Sequence, residues 1–202
     1  MKTLILAEGK DDQMVLRAML EAWGVQNTEV RSYDGRDKLR SYLKGFKASP
    51  DYTQAHFSKI IITRDNDDDP AAAWTSLHDH LRNQLNLNVG SPGELVPNDF
   101  GTKVTAFCVP NEGQSGMIET LCVDSLDEDQ QAKLACVSQF VECVGKHISN
   151  TVHEKIRFKA WLLTSGNPRF DLKMAIKDAH FNFDAPCFSA LKAIIAPSEA
   201  DQ

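Results

Sequence analysis

Long hydrophobic runs are missing from this chain. No stretch approaches the ~18 consecutive apolar residues that a membrane span requires. The apolar opening Met1-Lys2-Thr3-Leu4-Ile5-Leu6-Ala7 meets a charge at Glu8, too early for a signal peptide, and the sequence therefore reads as cytoplasmic. Cysteine is scarce: five residues, an odd count with no close CxxC pair, exclude a disulfide framework and a zinc ribbon and are expected to be buried thiols. Positive charge is short as well. Twenty-two Lys+Arg stand against 28 Asp+Glu, a formal charge of -6, which argues against holding nucleic acid by bulk positive field. A local basic surface, or metal ions held by the acids, would reverse that sign where it matters. Internal repeats, low-complexity segments and an evident linker are all lacking. What remains is an ordinary globular composition: 202 residues, 42% hydrophobic and 25% charged, enough for one compact unit with a sizeable core.

The pattern along the chain alternates strand and helix. Residues 2–7 form a short apolar run, with Glu8-Gly9 as a turn. Asp11 reads as a helix cap, Val15, Ala18, Met19 and Ala22 recur at helical spacing, and Gly24 is the stop. Residues 28–32 suit a second strand and 36–46 a second helix with Leu39, Leu43 and Phe46 on one side. Lys59-Ile60-Ile61-Ile62-Thr63 reads as a third strand buried on both faces, running into Arg64-Asp65-Asn66-Asp67-Asp68-Asp69-Pro70. Pro70 fits the first position of a third helix carrying Trp74, Leu77, Leu81 and Leu85. After a Gly/Pro/Asn-rich loop over 90–101 come a fourth strand at 103–109 and a short helix at 117–123. From residue 126 the pattern turns helical: a stretch to about His147, another at 156–163, a turn at Ser165-Gly166-Asn167-Pro168, and two short terminal segments. This predicts an α/β fold with a mostly parallel sheet flanked by helices over 1–125, and a mainly helical C-terminal extension over 126–202 packed on the same unit.

In an open parallel sheet the functional crevice lies at the carboxyl ends of the strands. Two predicted strands end there in acids, the first at Glu8 and the third at Asp65, with Asp67 two residues on. If extended geometry persists through the turn, Asp65 and Asp67 point the same way. Four carboxylates within residues 65–69 repel one another and raise their pKa values unless a cation intervenes. A hard ion such as Mg²⁺ or Mn²⁺ suits an all-oxygen site of this kind.

Three blocks, Glu8-Gly9-Lys10-Asp11-Asp12, Asp65-Asn66-Asp67 and Ser115-Gly116-Met117-Ile118-Glu119, resemble in order and placement the motifs of a Toprim domain. That is the metal-binding, Rossmann-like α/β module of topoisomerases, bacterial primases, recombination mediators and the overcoming-lysogenization-defect nucleases. The first two blocks are especially similar to those of the small ribonucleases that mature 5S ribosomal RNA, and the layout to stand-alone Toprim-like proteins. By this resemblance Glu8 is a metal ligand or general acid/base at the scissile phosphodiester, and Asp65 and Asp67 are metal ligands. Glu119 completes a second metal site in some members, and Asp12 falls where the nuclease branch is acidic. The resemblance implies Mg²⁺- or Mn²⁺-dependent cleavage of DNA or RNA, with Glu8 and Asp65 carrying catalysis. It covers roughly the first 125 residues.

Plainer roles compete for several of these residues. Asp11 and Asp12 suit helix caps, and Asp68 and Asp69 suit the start of the Pro70 helix. Glu119 suits a solvated helix face. Gly9 suits a tight turn, and Lys10 either a phosphate contact or an exposed lysine. Residues 31–47 hold six bases (Arg31, Arg36, Lys38, Arg40, Lys44, Lys47) against two acids, with Tyr33 and Tyr42 interleaved. They read either as a nucleic-acid surface, with Lys10, Arg36, Lys38 and Arg40 contacting the strand, or as a solvated helix face. His78 and His80, two apart on a helix, do not share a metal. Cys136, Cys143 and His147 form a stripe better read as core. Ser115 lacks a paired histidine, which excludes a serine hydrolase. The alternative to a nuclease is a non-catalytic module of the same fold that binds nucleic acid, a nucleotide or a protein partner. A receiver-type phosphate-transfer domain fits less well, because a lysine after the last core strand is missing.

Overall fold

The computed structural model describes residues 2–144, 149–164, 167 and 169–196. Its centre is a five-stranded sheet of order β2-β1-β3-β5-β4, made of β1 (Thr3–Ala7), β2 (Thr28–Ser32), β3 (Lys59–Asp65), β4 (Val96–Pro97) and β5 (Lys103–Val109). β1 pairs in parallel with both β2 and β3, and β3 pairs in parallel with β5. β4 is a two-residue antiparallel strand at the edge. It arises inside the stretch expected to be only loop, and Pro97 is tolerated there because an edge strand need not donate on its outer side.

Strand alternation divides the core between two faces. Leu4, Leu6, Ile60, Ile62, Val104 and Ala106 pack against α2 (Leu39–Lys47), α3 (Pro50–Thr53) and α4 (Pro70–His80). Ile5, Ala7, Ile61, Phe107 and Val109 pack against α1 (Lys10–Ala22) and α5 (Ile118–Asp124). The second core continues into the C-terminal part through Phe158 and Trp161 of α7 (Asn150–Leu163), Leu172 and Ala175 of α8 (Leu172–Lys177), and Leu191 and Ile195 of α9 (Ser189–Ile195). Strands 1, 3 and 5 are apolar on both faces because helices cover both, and each fully buried Leu or Ile contributes about 1.5–3 kcal/mol relative to exposure.

The chain leaves β1, crosses one face through α1 to β2, then returns across the other face through α2 to β3. That reversal leaves a crevice between the carboxyl ends of β1 and β3, the place where an open α/β sheet accommodates ligands.

Several details differ from expectation. The helix expected from Arg36 opens as a 3₁₀ turn, Arg36–Lys38, after Gly35 at φ 105°, and α2 begins only at Leu39. The helix after Pro70 ends at His80 and continues as a wider π turn over Leu81–Leu85. α6 spans Glu128–Val144 and α7 begins at Asn150, six residues before the apolar signal. The cysteines are not uniformly buried. Cys108 and Cys122 are, Cys187 is half-buried, and Cys136 and Cys143 are exposed. α6 turns Leu134, Val137 and Val141 inward and leaves Phe140 outside, so the cysteine stripe is not its core face. His147, Ser165, Gly166 and Pro168 lie outside the described residues.

Candidate functional site

Glu8 and Asp65 meet at the β1/β3 crevice. Directly beyond β1, the Glu8 Oε2 accepts a hydrogen bond from the backbone N–H of Asp65 at 3.2 Å. Asp65, the last residue of β3, is buried, and its Oδ1 accepts from the N–H of Ile118 at 3.2 Å. One strand's terminal carboxylate thus holds the first turn of α5, where a helix presents unpaired N–H groups and favours negative charge.

Asp12 joins them from the first turn of α1. Its Oδ2 accepts from the Gly9 N–H at 3.0 Å, so the helix is closed from its third position rather than from Asp11, which is exposed. A Cβ at position 9 would stand 2.7 Å from Asp12 Oδ2, so a larger residue there would displace this carboxylate. Glu119, next to Ile118, brings a fourth acid into electrostatic range of Asp12 and Asp65.

Burial is the largest influence on all four acids and raises each carboxyl above its ordinary value. Asp12 is pushed up to about 6, by burial first and the Glu119 charge second. Asp65 is held well above the usual carboxylate range by burial, then by Asp12, Glu8 and Glu119. Glu8 is raised by burial, with the Asp65 N–H and Arg64 pulling back and Asp12 and Asp67 adding to the rise. Glu119 is raised by burial and eased by Lys155 and Lys159. These two lysines of α7 are site neighbours that the motif blocks did not indicate. Their i, i+4 spacing puts them on one helical face, a signal visible in the sequence.

Asp67 does not point alongside Asp65. The turn starts at Asn66, and Asp67 takes a left-handed conformation, φ 51°, while exchanging two backbone hydrogen bonds with Gly116 at 2.8 and 2.9 Å. Extended geometry ends there, and the Asp67 carboxylate pairs with Arg36 Nη1 at 3.2 Å. Its charge still reaches Glu8. Asp69 caps α4 by accepting from the Ala72 N–H at 2.9 Å, as expected. Asp68 serves a different helix: its Oδ1 accepts from Thr151 N–H at 2.8 Å and Thr151 Oγ1 at 2.9 Å, at the start of α7.

Of the basic candidates, Lys10, Arg36, Lys38 and Arg40 are all exposed, and only Arg36 touches an acid of the motif blocks. Arg31 is occupied by Glu29 and Asp51 at 2.6 Å each. Tyr33 is no stacking platform: it is buried, and its hydroxyl donates to Thr63 O at 2.9 Å. Tyr42 lies half-buried against Tyr33 and Phe46. His78 and His80 bond to Asn88 and Ser76 respectively, in agreement with separate orientations.

The donor chemistry at the crevice suits a hard divalent cation, since buried carboxylates that repel one another are stabilised by added positive charge. Among the described residues, however, no group of three or more His, Cys, Asp or Glu side chains is arranged to hold a metal ion. Asp12, Asp65 and Asp67 each spend a carboxylate oxygen on a protein partner. No helix among the described residues is long and apolar enough to cross a membrane.

No curated protein and no solved structure matches this sequence. Residues 2–197 match the family described as "Protein of unknown function (DUF3226)". The match spans the strands that carry Glu8 and Asp65 as well as the C-terminal helices, and the chain belongs to the DUF3226 family.

Proposed function

We propose that the protein is a Toprim-type enzyme of nucleic acid, cutting phosphodiesters of DNA or RNA with Mg²⁺ or Mn²⁺. The observation that carries this reading is the meeting of Glu8 with Asp65 at the β1/β3 crevice, with Asp12 and Glu119 in electrostatic range. The cation would be held by Glu8 and Asp65, joined by Asp67 only after its carboxylate leaves Arg36, with Asp12 and Glu119 available to a second ion. When bound, it supplies an acidic water and neutralises charge on the phosphoryl oxygens. Glu8 serves either as a ligand of that cation or as the group that moves the proton. One oxygen is anchored on the Asp65 N–H, and burial raises its pKa, the direction a proton-transferring carboxyl requires. Lys155 and Lys159 offset the acids, and Lys10, Arg36, Lys38 and Arg40 offer charge-assisted contacts to phosphates along a strand.

The test is incubation with plasmid, single-stranded DNA and structured RNA in Mg²⁺ or Mn²⁺, beside Glu8→Ala and Asp65→Ala. Cation-dependent cleavage lost in both variants supports the proposal. Cleavage that survives both, or absence of cleavage on every substrate, defeats it. A second reading is a non-catalytic module of the same fold that grips nucleic acid, a nucleotide or a protein partner. It is favoured by the commitment of Asp12, Asp65 and Asp67 to protein hydrogen bonds and an ion pair. It requires binding without turnover.

A further inference from the structure

On the other face of β3, between the start of α2 and α4, lies a cavity of about 680 Å³. Strand alternation places Arg64, the residue before Asp65, on this face. Arg64 is only 8% exposed, yet its guanidinium has little to hold. Its Nη1 makes one long contact, 3.4 Å, to the carbonyl of Ala73, and among the described residues its buried Nε has no hydrogen-bond partner and it forms no ion pair. A buried cation without a directly paired counter-charge is costly.

Asn66, on the same wall, presents the complementary deficit. Its Nδ2 donates to Asn111 O at 2.8 Å and Gln114 O at 2.7 Å, which fixes the amide and directs Oδ1 elsewhere. That Oδ1 is buried with no hydrogen-bond partner among the described residues. The wall therefore lacks an anion at one point and a hydrogen-bond donor at the next. Arg40 of α2 also lines the cavity and makes no ion pair among the described residues. The lining acids are otherwise engaged or exposed: Asp67 with Arg36, Asp68 with Thr151, Asp69 with the Ala72 N–H, and Asp37 facing solvent.

We infer that this cavity receives the phosphoryl group of a nucleotide, held by Arg64 and Arg40, with a sugar hydroxyl or base N–H of the same nucleotide donating to Asn66 Oδ1. The ligand is either a free nucleoside monophosphate or the terminal phosphate of a strand. The inference takes from the proposed function only its nucleic-acid chemistry and needs neither cation nor cleavage.

The test is calorimetry on the full chain in EDTA with adenosine, adenosine 5′-monophosphate, and a short oligothymidylate with and without a 5′-phosphate. Amide chemical shifts are followed at Arg64, Asn66 and Ala73. Phosphorylated ligands are expected to bind about tenfold or more tighter than their unphosphorylated forms, and Arg40→Ala and Arg64→Met each to weaken them by a similar factor. If Arg64→Met does not fold, the exposed Arg40→Ala carries the comparison. Preference for the phosphorylated strand or for the free nucleotide assigns the source, and either supports the inference. Equal binding with and without phosphate, unmoved amides at the cavity, or variants that bind like wild type overturn it. Because cations are absent throughout, these outcomes are separate from success or failure of the cleavage assay.

Discussion

The Glu8 carboxylate accepts the backbone N–H of Asp65 at 3.2 Å, so the residue expected to do chemistry also ties together the ends of two neighbouring strands. These roles separate by substitution. Glu8→Gln keeps an acceptor for that N–H and removes the charge. Glu8→Ala removes both, and it is expected to be less stable than Glu8→Gln by about 1–2 kcal/mol in denaturant unfolding. On the proposed function, both variants lose cation-dependent cleavage by about a hundredfold or more. Glu8→Gln cutting like wild type would remove Glu8 from the chemistry.

Stability is expected to fall as pH rises through the range in which the acids ionise. In the unfolded chain these carboxyls titrate near their ordinary values of about 4, whereas folding raises Glu8, Asp65 and Glu119 and pushes Asp12 up to about 6. The folded state therefore binds these protons more tightly. Their contribution is complete below about pH 4 and is lost as pH rises, that of Asp12 as pH climbs through about 6. In EDTA the melting temperature of wild type is expected to drop relative to Asp12→Asn across this interval. With Mg²⁺ or Mn²⁺ present, the proposed function further expects a larger rise in melting temperature at pH 7.5 than at pH 5. A wild-type-minus-variant difference that does not change with pH would contradict the electrostatic account.

Gly116 is expected to resist even a methyl group. It sits at φ 130°, and a Cβ would meet Thr120 Oγ1 at 2.7 Å, while its backbone holds Asp67 in place. Gly116→Ala should cost about 1–3 kcal/mol. Gly45, inside α2 with nothing within 4 Å of its would-be Cβ, is the control: Gly45→Ala should be neutral or stabilising by up to about 1 kcal/mol. Denaturant midpoints of the two variants decide this, and equal effects would show that the glycine in the third block is not there for its backbone.

Asp68 anchors the acidic turn to α7 through two hydrogen bonds to Thr151. Asp68→Ala is expected to lower stability by roughly 1 kcal/mol, in the range of a lost helix cap. It should also speed hydrogen exchange at the first amides of α7 more than at those of α4. The reverse order would mean that Asp68 acts on the Pro70 helix, as its sequence neighbourhood suggests.

Much of the architecture was legible because it is local. The β-branched run 59–63, the alternation of strands with capped amphipathic helices, and Pro70 behind Asp69 each declare an element within a few residues. What escaped has little local signature. β4 has two residues and exists because β5 offers an edge, and the outward turn of Cys136 and Cys143 depends on which face of α6 meets α7. Arg64 has no local signature either, since nothing in the sequence says that its strand is covered on that face and its guanidinium left without a direct ion pair among the described residues.

Sequence alone determined that acids stand at the ends of two apolar strands, because strand length and burial follow from the spacing of residues along one segment. Tertiary structure decided which of those acids meet. β1 and β3 are neighbours only because the chain reverses between faces, and that places Glu8 beside Asp65. Asp67 turns to Arg36, and Asp68 to Thr151, because partners from distant segments compete for each carboxylate. A hydrogen bond or ion pair forms with whatever the fold brings within reach, and reach is a property of packing that no single segment encodes.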